Sequence, residues 1–229
     1  MPAEDRPELL IVGDSHAIAL RGGCEALGVT SELLSFSGNL WHLGHIVMHR
    51  KRGIWARSPA LQKRLQETAL RLGSDALPAA DVPVVATFGY HLGRIVPQFH
   101  AGGHCANAAE FLGDENRHFV SQAMLDAYIA HFRRSLVQVL KRMAGRAPLI
   151  AVAPPLIHES ANYPEFMDTI SDMIQAEGIR FINPCDTLFG RRKALPAEFL
   201  TADGGHGDAI YGAMVIQLLR DQGLIRVPR

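Results

Sequence analysis

Leu9-Leu10-Ile11-Val12-Gly13-Asp14-Ser15-His16 is the stretch on which the fold turns. The four apolar residues read as a short buried strand, and the glycine at their end reads as a sharp turn into a helix. That helix is expected over 16–27, with Ala17, Ile18, Leu20, Cys24 and Leu27 available for an inward face. A serine at such a corner projects its hydroxyl at the carboxyl edge of a sheet, where open α/β folds place their ligands. Its backbone N–H, at a helix amino terminus, is then placed to stabilise an anion. Gly-Asp-Ser is also an ordinary turn sequence, so this stretch needs a partner elsewhere in the chain.

Asp203-Gly204-Gly205-His206 provides one. A carboxylate three residues before an imidazole, on a glycine-rich bend opening a helix at 207–221, lets one loop carry both groups. The carboxylate can orient the ring through Nδ1–H and leave the opposite nitrogen to take a proton from a serine hydroxyl. Taken alone, Asp203 is a turn former and His206 a solvated histidine. With Ser15 behind the first strand, the order Ser…Asp…His describes an activated nucleophile on an α/β sheet.

On these residues the chain resembles the SGNH hydrolases, also called GDSL esterases or lipases. Gly13-Asp14-Ser15 matches the family's first block and Asp203-Gly204-Gly205-His206 its last. The resemblance implies Ser15 as nucleophile, His206 as general base and Asp203 as the group that orients it. It implies an oxyanion hole from the N–H groups of Ser15 and of Gly38, in Phe36-Ser37-Gly38-Asn39. The family's third block is Gly-x-Asn, whereas this chain has Gly89-Tyr90-His91. His91 would have to supply a ring N–H in place of an amide, and loss of such a donor typically costs about 10²–10³ in rate. His91 is therefore a substitute donor, a substrate-binding group or the mark of a weakened site. Asp14, His16, Asn39, Trp41 and Tyr90, around these blocks, are expected to contact substrate. The fold implied is a three-layer α/β/α sandwich around a five-stranded parallel sheet in flavodoxin-like order.

The rest of the chain fits one domain of that class. At 229 residues, 48% hydrophobic and 20% charged, it can bury a sizeable core without splitting. Lys plus Arg and Asp plus Glu both number 23, which gives no reason to expect nucleic acid or an acidic membrane as partner. Cys24, Cys105 and Cys185 fall in no metal or redox spacing and read as buried thiols. The amino terminus lacks a basic start and an apolar signal core, and no apolar run is long enough for a bilayer. A cytoplasmic location is the expectation. Strands are expected at 8–12, 31–36, 82–88, 148–153 and 179–183. Alternating with them are helices at 119–144 and near 163–177, the latter stopped by Gly178.

Two segments are too long for simple connections and are expected to wall the site. The first, about 38–80, contains a helix with Ser58 as cap and Pro59 at its first position, ending at Gly73. The second is about 93–118. Trp41, Trp55, Tyr90 and Phe99 lie in or beside them, offering faces for a sugar ring or for packing. His42, His45 and His49 would share one face if helical and, with His100 or His104, present a rival zinc site. Gly44 weakens that helix, and Arg50, Lys51, Arg52 and Arg57 make the segment basic. The reading preferred is a serine esterase for small acyl esters, O-acetylated carbohydrate among them, that uses neither metal nor cofactor. Acyl transfer on the same triad and a carbohydrate-binding relative that has lost catalysis are the alternatives.

Overall fold

The structure, a computed structural model, describes residues 6–90, 104–105, 109, 112, 118–157 and 163–225. Strand β1, Leu9–Gly13, is buried along its whole length and lies at the sheet's interior. It pairs in parallel with β2, Ser31–Ser35, on one side and with β5, Val84–Thr87, on the other. β5 pairs with β8, Leu149–Val152, and β8 with β9, Arg180–Ile182, again in parallel. The order β2-β1-β5-β8-β9 is the flavodoxin-like order expected.

Strands covered on both faces carry apolar residues at every position rather than at alternate ones. Leu10, Val12, Val84, Ala86, Leu149 and Ala151 point into one buried cluster. Among the described residues, that face is covered chiefly by α3 (Pro59–Arg71), α4 (Gln122–Ala144) and α5 (Tyr163–Ala176). Leu9, Ile11, Val85, Ile150 and Val152 point the other way. There they meet α1, Ala17–Ala26, and α7, Ala209–Asp221. A helix layer on each side of a parallel sheet is the three-layer sandwich.

The caps explain several boundaries. Pro59 begins α3, where a missing N–H costs nothing, and the Ser121 side chain accepts the Met124 N–H at the head of α4. Asn183 caps α6, Pro184–Phe189, a short helix not anticipated from sequence although its Asn-Pro start is a good signal. Phe119 lies outside α4, in β7 (His118–Phe119), which pairs with β6 (His104–Cys105).

The first long segment departs from expectation. Its beginning is a five-residue helix, α2 (Gly38–His42), followed by an antiparallel hairpin of β3 (Ile46–His49) and β4 (Gly53–Ala56). Ile46, Met48, Ile54 and Ala56 are buried between the hairpin and the sheet's helical layer. The three histidines consequently share no helix face. His42 ends α2 and His45 sits in the turn. His49 ends β3, its Nδ1 accepting the N–H groups of Lys51 and Arg52, both at 3.2 Å. Among the described residues no three His, Cys, Asp or Glu side chains are grouped to hold a metal ion. Nor is any helix among them long and apolar enough to cross a membrane. His91, Phe99 and His100 lie outside the described residues, as does most of the second long segment.

Candidate active site

β1 and its two neighbours end together, with Gly13 level with Ser35 on β2 and with Thr87 on β5. Ser15 stands two residues beyond β1, and Gly38 three beyond β2, so both turns occupy the carboxyl edge of the sheet. Gly13 is required there by close approach. A Cβ on it would stand 2.6 Å from the Thr87 carbonyl oxygen and 2.9 Å from the Ala17 Cβ.

The Ser15 turn is fastened on several sides. Asp14 N–H donates to the Thr87 carbonyl at 3.2 Å, and Ala17 N–H returns to the Asp14 carbonyl at 3.1 Å. The Ser35 hydroxyl donates to that same Asp14 carbonyl at 2.8 Å. The Gly13 carbonyl accepts the Phe36 N–H and the Trp41 indole N–H, each at 3.0 Å. Ser15 itself is exposed. Among the described residues neither the Ser15 N–H nor the Gly38 N–H is engaged in a hydrogen bond. Each is available to an anion at this edge.

His206 comes to Ser15 from the far end of the chain. Its Nε2 lies 2.8 Å from the Ser15 Oγ, and its Nδ1 lies 2.9 Å from an Asp203 carboxylate oxygen. The other Asp203 oxygen accepts the Thr201 hydroxyl at 2.7 Å and the Gly205 N–H at 2.8 Å. Those two bonds, followed by the one from His206, hold the Asp203 carboxyl well below the usual carboxylate range. An ionised Asp203 draws the imidazole proton to Nδ1, which leaves Nε2 as the acceptor facing the serine hydroxyl. The loop is closed at its base by Thr201 N–H to the His206 carbonyl at 2.9 Å, and the Asp208 side chain caps α7 through the Tyr211 N–H.

The arrangement brings Ser15, His206 and Asp203 into one line and sets Gly38 at the adjacent strand end. Of the expected substrate contacts, three need correction. Asp14 is 5% exposed, with a carboxylate oxygen accepting the His16 N–H at 3.2 Å. Burial pushes its carboxyl up to about 6, against the lowering effect of that N–H. Trp41 is 2% exposed and stacks on Phe88 with ring centroids 4.2 Å apart. Tyr90 is 5% exposed and its hydroxyl meets the Ser171 Oγ at 2.9 Å. All three are interior groups, Trp41 on α2 through its stack on Phe88 and Tyr90 through its bond to Ser171. His16 is half-buried, its ring centroid 4.9 Å from that of His206, and Asn39 is half-buried on α2.

Thr201, Ser35 and Arg133 were missed in the sequence. Thr201 carried a readable signal, a hydroxyl two residues before a turn aspartate. Arg133 did not, since it interrupts the apolar stripe of α4 yet is fully buried, with Nη1 3.0 Å from the His42 Nδ1. Burial pulls its guanidinium down to about 10, with Tyr128 and Asp14 opposing.

No protein-family model matches the chain, and no curated protein does. Among solved structures, it is similar to a catalytic mutant of Axe2, an acetylxylan esterase from Geobacillus stearothermophilus. That match has 15% identity, covers 96% of each chain and has a TM-score of 0.49. It is also similar to a GDSL-like lipase from Bacteroides thetaiotaomicron, at 16% identity over 98% of this chain and 89% of that one, with a TM-score of 0.41.

Proposed function

We propose that this chain is a serine esterase that hydrolyses small acyl esters through an acyl-enzyme. The observation that carries the reading is the continuous line from the Ser15 Oγ through His206 to Asp203, at 2.8 and 2.9 Å. In the first half-reaction His206 Nε2 takes the Ser15 proton as Oγ attacks the ester carbonyl, and the same nitrogen then protonates the departing alcohol. In the second, His206 takes a proton from water, which attacks the acyl carbon. Ser15 Oγ leaves and recovers its proton from the imidazolium. Asp203 holds the ring and stabilises its charged form. The N–H groups of Ser15 and Gly38 receive the oxyanion, and His91 is the candidate for a third donor. No cofactor takes part in these steps.

Trp41 and Tyr90 are buried and offer no platform for a sugar ring, whereas Trp55 is half-buried and Phe99 lies outside the described residues, so O-acetylated carbohydrate stays among the small acyl esters proposed. A cytoplasmic setting belongs to the same reading, supported by three buried, unbridged thiols at Cys24, Cys105 and Cys185. Ser15→Ala is expected to abolish turnover of p-nitrophenyl acetate, and a fluorophosphonate should label the wild-type protein at Ser15. Active protein that resists labelling, or a Ser15→Ala variant with full turnover, overturns the proposal.

A further inference from the structure

The Trp41 indole occupies an unusual place for a core aromatic. It packs against the residues just beyond the ends of two strands, stacked on Phe88 at an interplanar angle of 7° and edge-on to Phe36 with centroids 5.8 Å apart. Those residues follow β5 and β2, the strands on either side of β1. Its N–H then reaches β1 itself, donating to the Gly13 carbonyl across 28 residues of sequence. One side chain thus touches three adjacent strand ends, and Ser15 is two residues from the carbonyl it holds.

Trp41 also lies three residues after Gly38, on the short helix that begins with that glycine. The Gly13 carbonyl already receives the Phe36 N–H, so the indole adds a second donor to one acceptor. Phenylalanine or leucine would fill this interior as an apolar group. What tryptophan adds is the hydrogen bond, and that bond runs from the Gly38 helix to the Ser15 turn.

Given the esterase reading above, we infer that Trp41 is a positioning residue, fixing through its N–H the separation of the Ser15 and Gly38 turns so that both backbone donors meet one oxyanion. It touches no substrate. Its action is on the geometry of two N–H groups, and donors displaced by a fraction of an ångström stabilise the transition state less while the ground-state ester binds as before.

Trp41→Phe keeps a ring against Phe88 and removes the donor. The kcat for p-nitrophenyl acetate, normalised to sites titrated with a fluorophosphonate, is expected to fall about tenfold with KM within about twofold, the scale of one lost hydrogen bond. Because Phe also leaves a void, Trp41 is replaced in parallel by β-(3-benzothienyl)alanine, which has sulfur at the N–H position, and by 7-azatryptophan, which retains the N–H. The sulfur isostere should show the loss in kcat and the aza isostere should restore it. If both isosteres match wild-type kcat per titrated site, or if Trp41→Phe lowers only the melting temperature, Trp41 is packing alone and the inference is wrong. A Ser15→Ala variant that keeps its turnover sinks the esterase reading instead, a result read in a separate protein.

Discussion

The two turns that make the dyad are built in opposite ways. The Ser15 turn is bound into the molecule, its backbone held by Thr87, Ser35, Phe36 and Trp41 from two neighbouring strands and the helix beyond one of them. The His206 turn is held mainly by its own residues, with Thr201, Gly205 and His206 all bonded to Asp203 and the Asp203 side chain 59% exposed. One aspartate in each turn records the difference. Asp14 is buried and its carboxyl is pushed up, whereas Asp203 is solvated and its carboxyl is held down. A nucleophile must stay fixed against a carbonyl carbon. A base needs only its ring angle set, and local bonds suffice for that.

Asp203→Asn tests the solvated turn and carries the largest expected effect. The amide cannot enforce the Nδ1–H tautomer, so kcat should fall by about a thousandfold or more. The melting temperature should shift by under about 2 °C, because exposed charges contribute little to stability. Unaltered kcat in Asp203→Asn, measured on p-nitrophenyl acetate, would remove Asp203 from the chemistry.

Gly212→Ala tests the joint between the turns. Gly212 lies on α7 where it crosses α1, and an added Cβ would overlap the Ala19 carbonyl, a backbone atom with no room to yield. Pushing the helices apart is expected to cost about 3 kcal/mol by urea unfolding and to lower activity in the surviving folded protein. A loss of stability with full activity would show that the turns keep their contact independently of the helices.

Asp14→Asn has the smallest effect and a distinctive sign. With its folded pKa at about 6 and an unfolded reference near 3.8, the native state binds the extra proton between those values. Stability from Asp14 is therefore greatest below about pH 4 and lost as pH rises through 6, by on the order of 2–3 kcal/mol. Asp203 has the opposite slope, favouring the folded state above its unfolded pKa and losing that contribution on acidification. Urea midpoints from pH 4 to 7 should show the wild type losing ground relative to Asp14→Asn. Parallel curves would mean that Asp14 is already solvated.

The sheet was legible in the sequence because its strands are doubly buried. Leu9–Val12 and Leu149–Val152 are apolar at every position, and the strand bounds expected differ from those observed by a residue or two. The β3–β4 hairpin was not legible as such. Its buried Ile46 and Met48 alternate with Val47, as a strand requires, but the spacing of His42, His45 and His49 left a helix open as the alternative. Ser15, Asp203 and His206, read from a serine behind the first strand and an Asp-x-x-His bend, do come together in the structure, because both features sit in local turns at the edge of the sheet. Which way Trp41 and Tyr90 face depends on how the chain turns after β2 and β5, a tertiary matter that no local pattern encodes.

The dyad joins residues 191 positions apart, one before the first helix and the other before the last described helix. A ribosome releases the Ser15 segment long before it makes the His206 loop. A chain still lacking that loop carries a hydroxyl with no base, inert toward every ester in its surroundings. On the esterase reading proposed above, reactivity begins only when the last described helix packs on the first, so hydrolysis of an acyl ester would report, molecule by molecule, that the two ends of the fold have met.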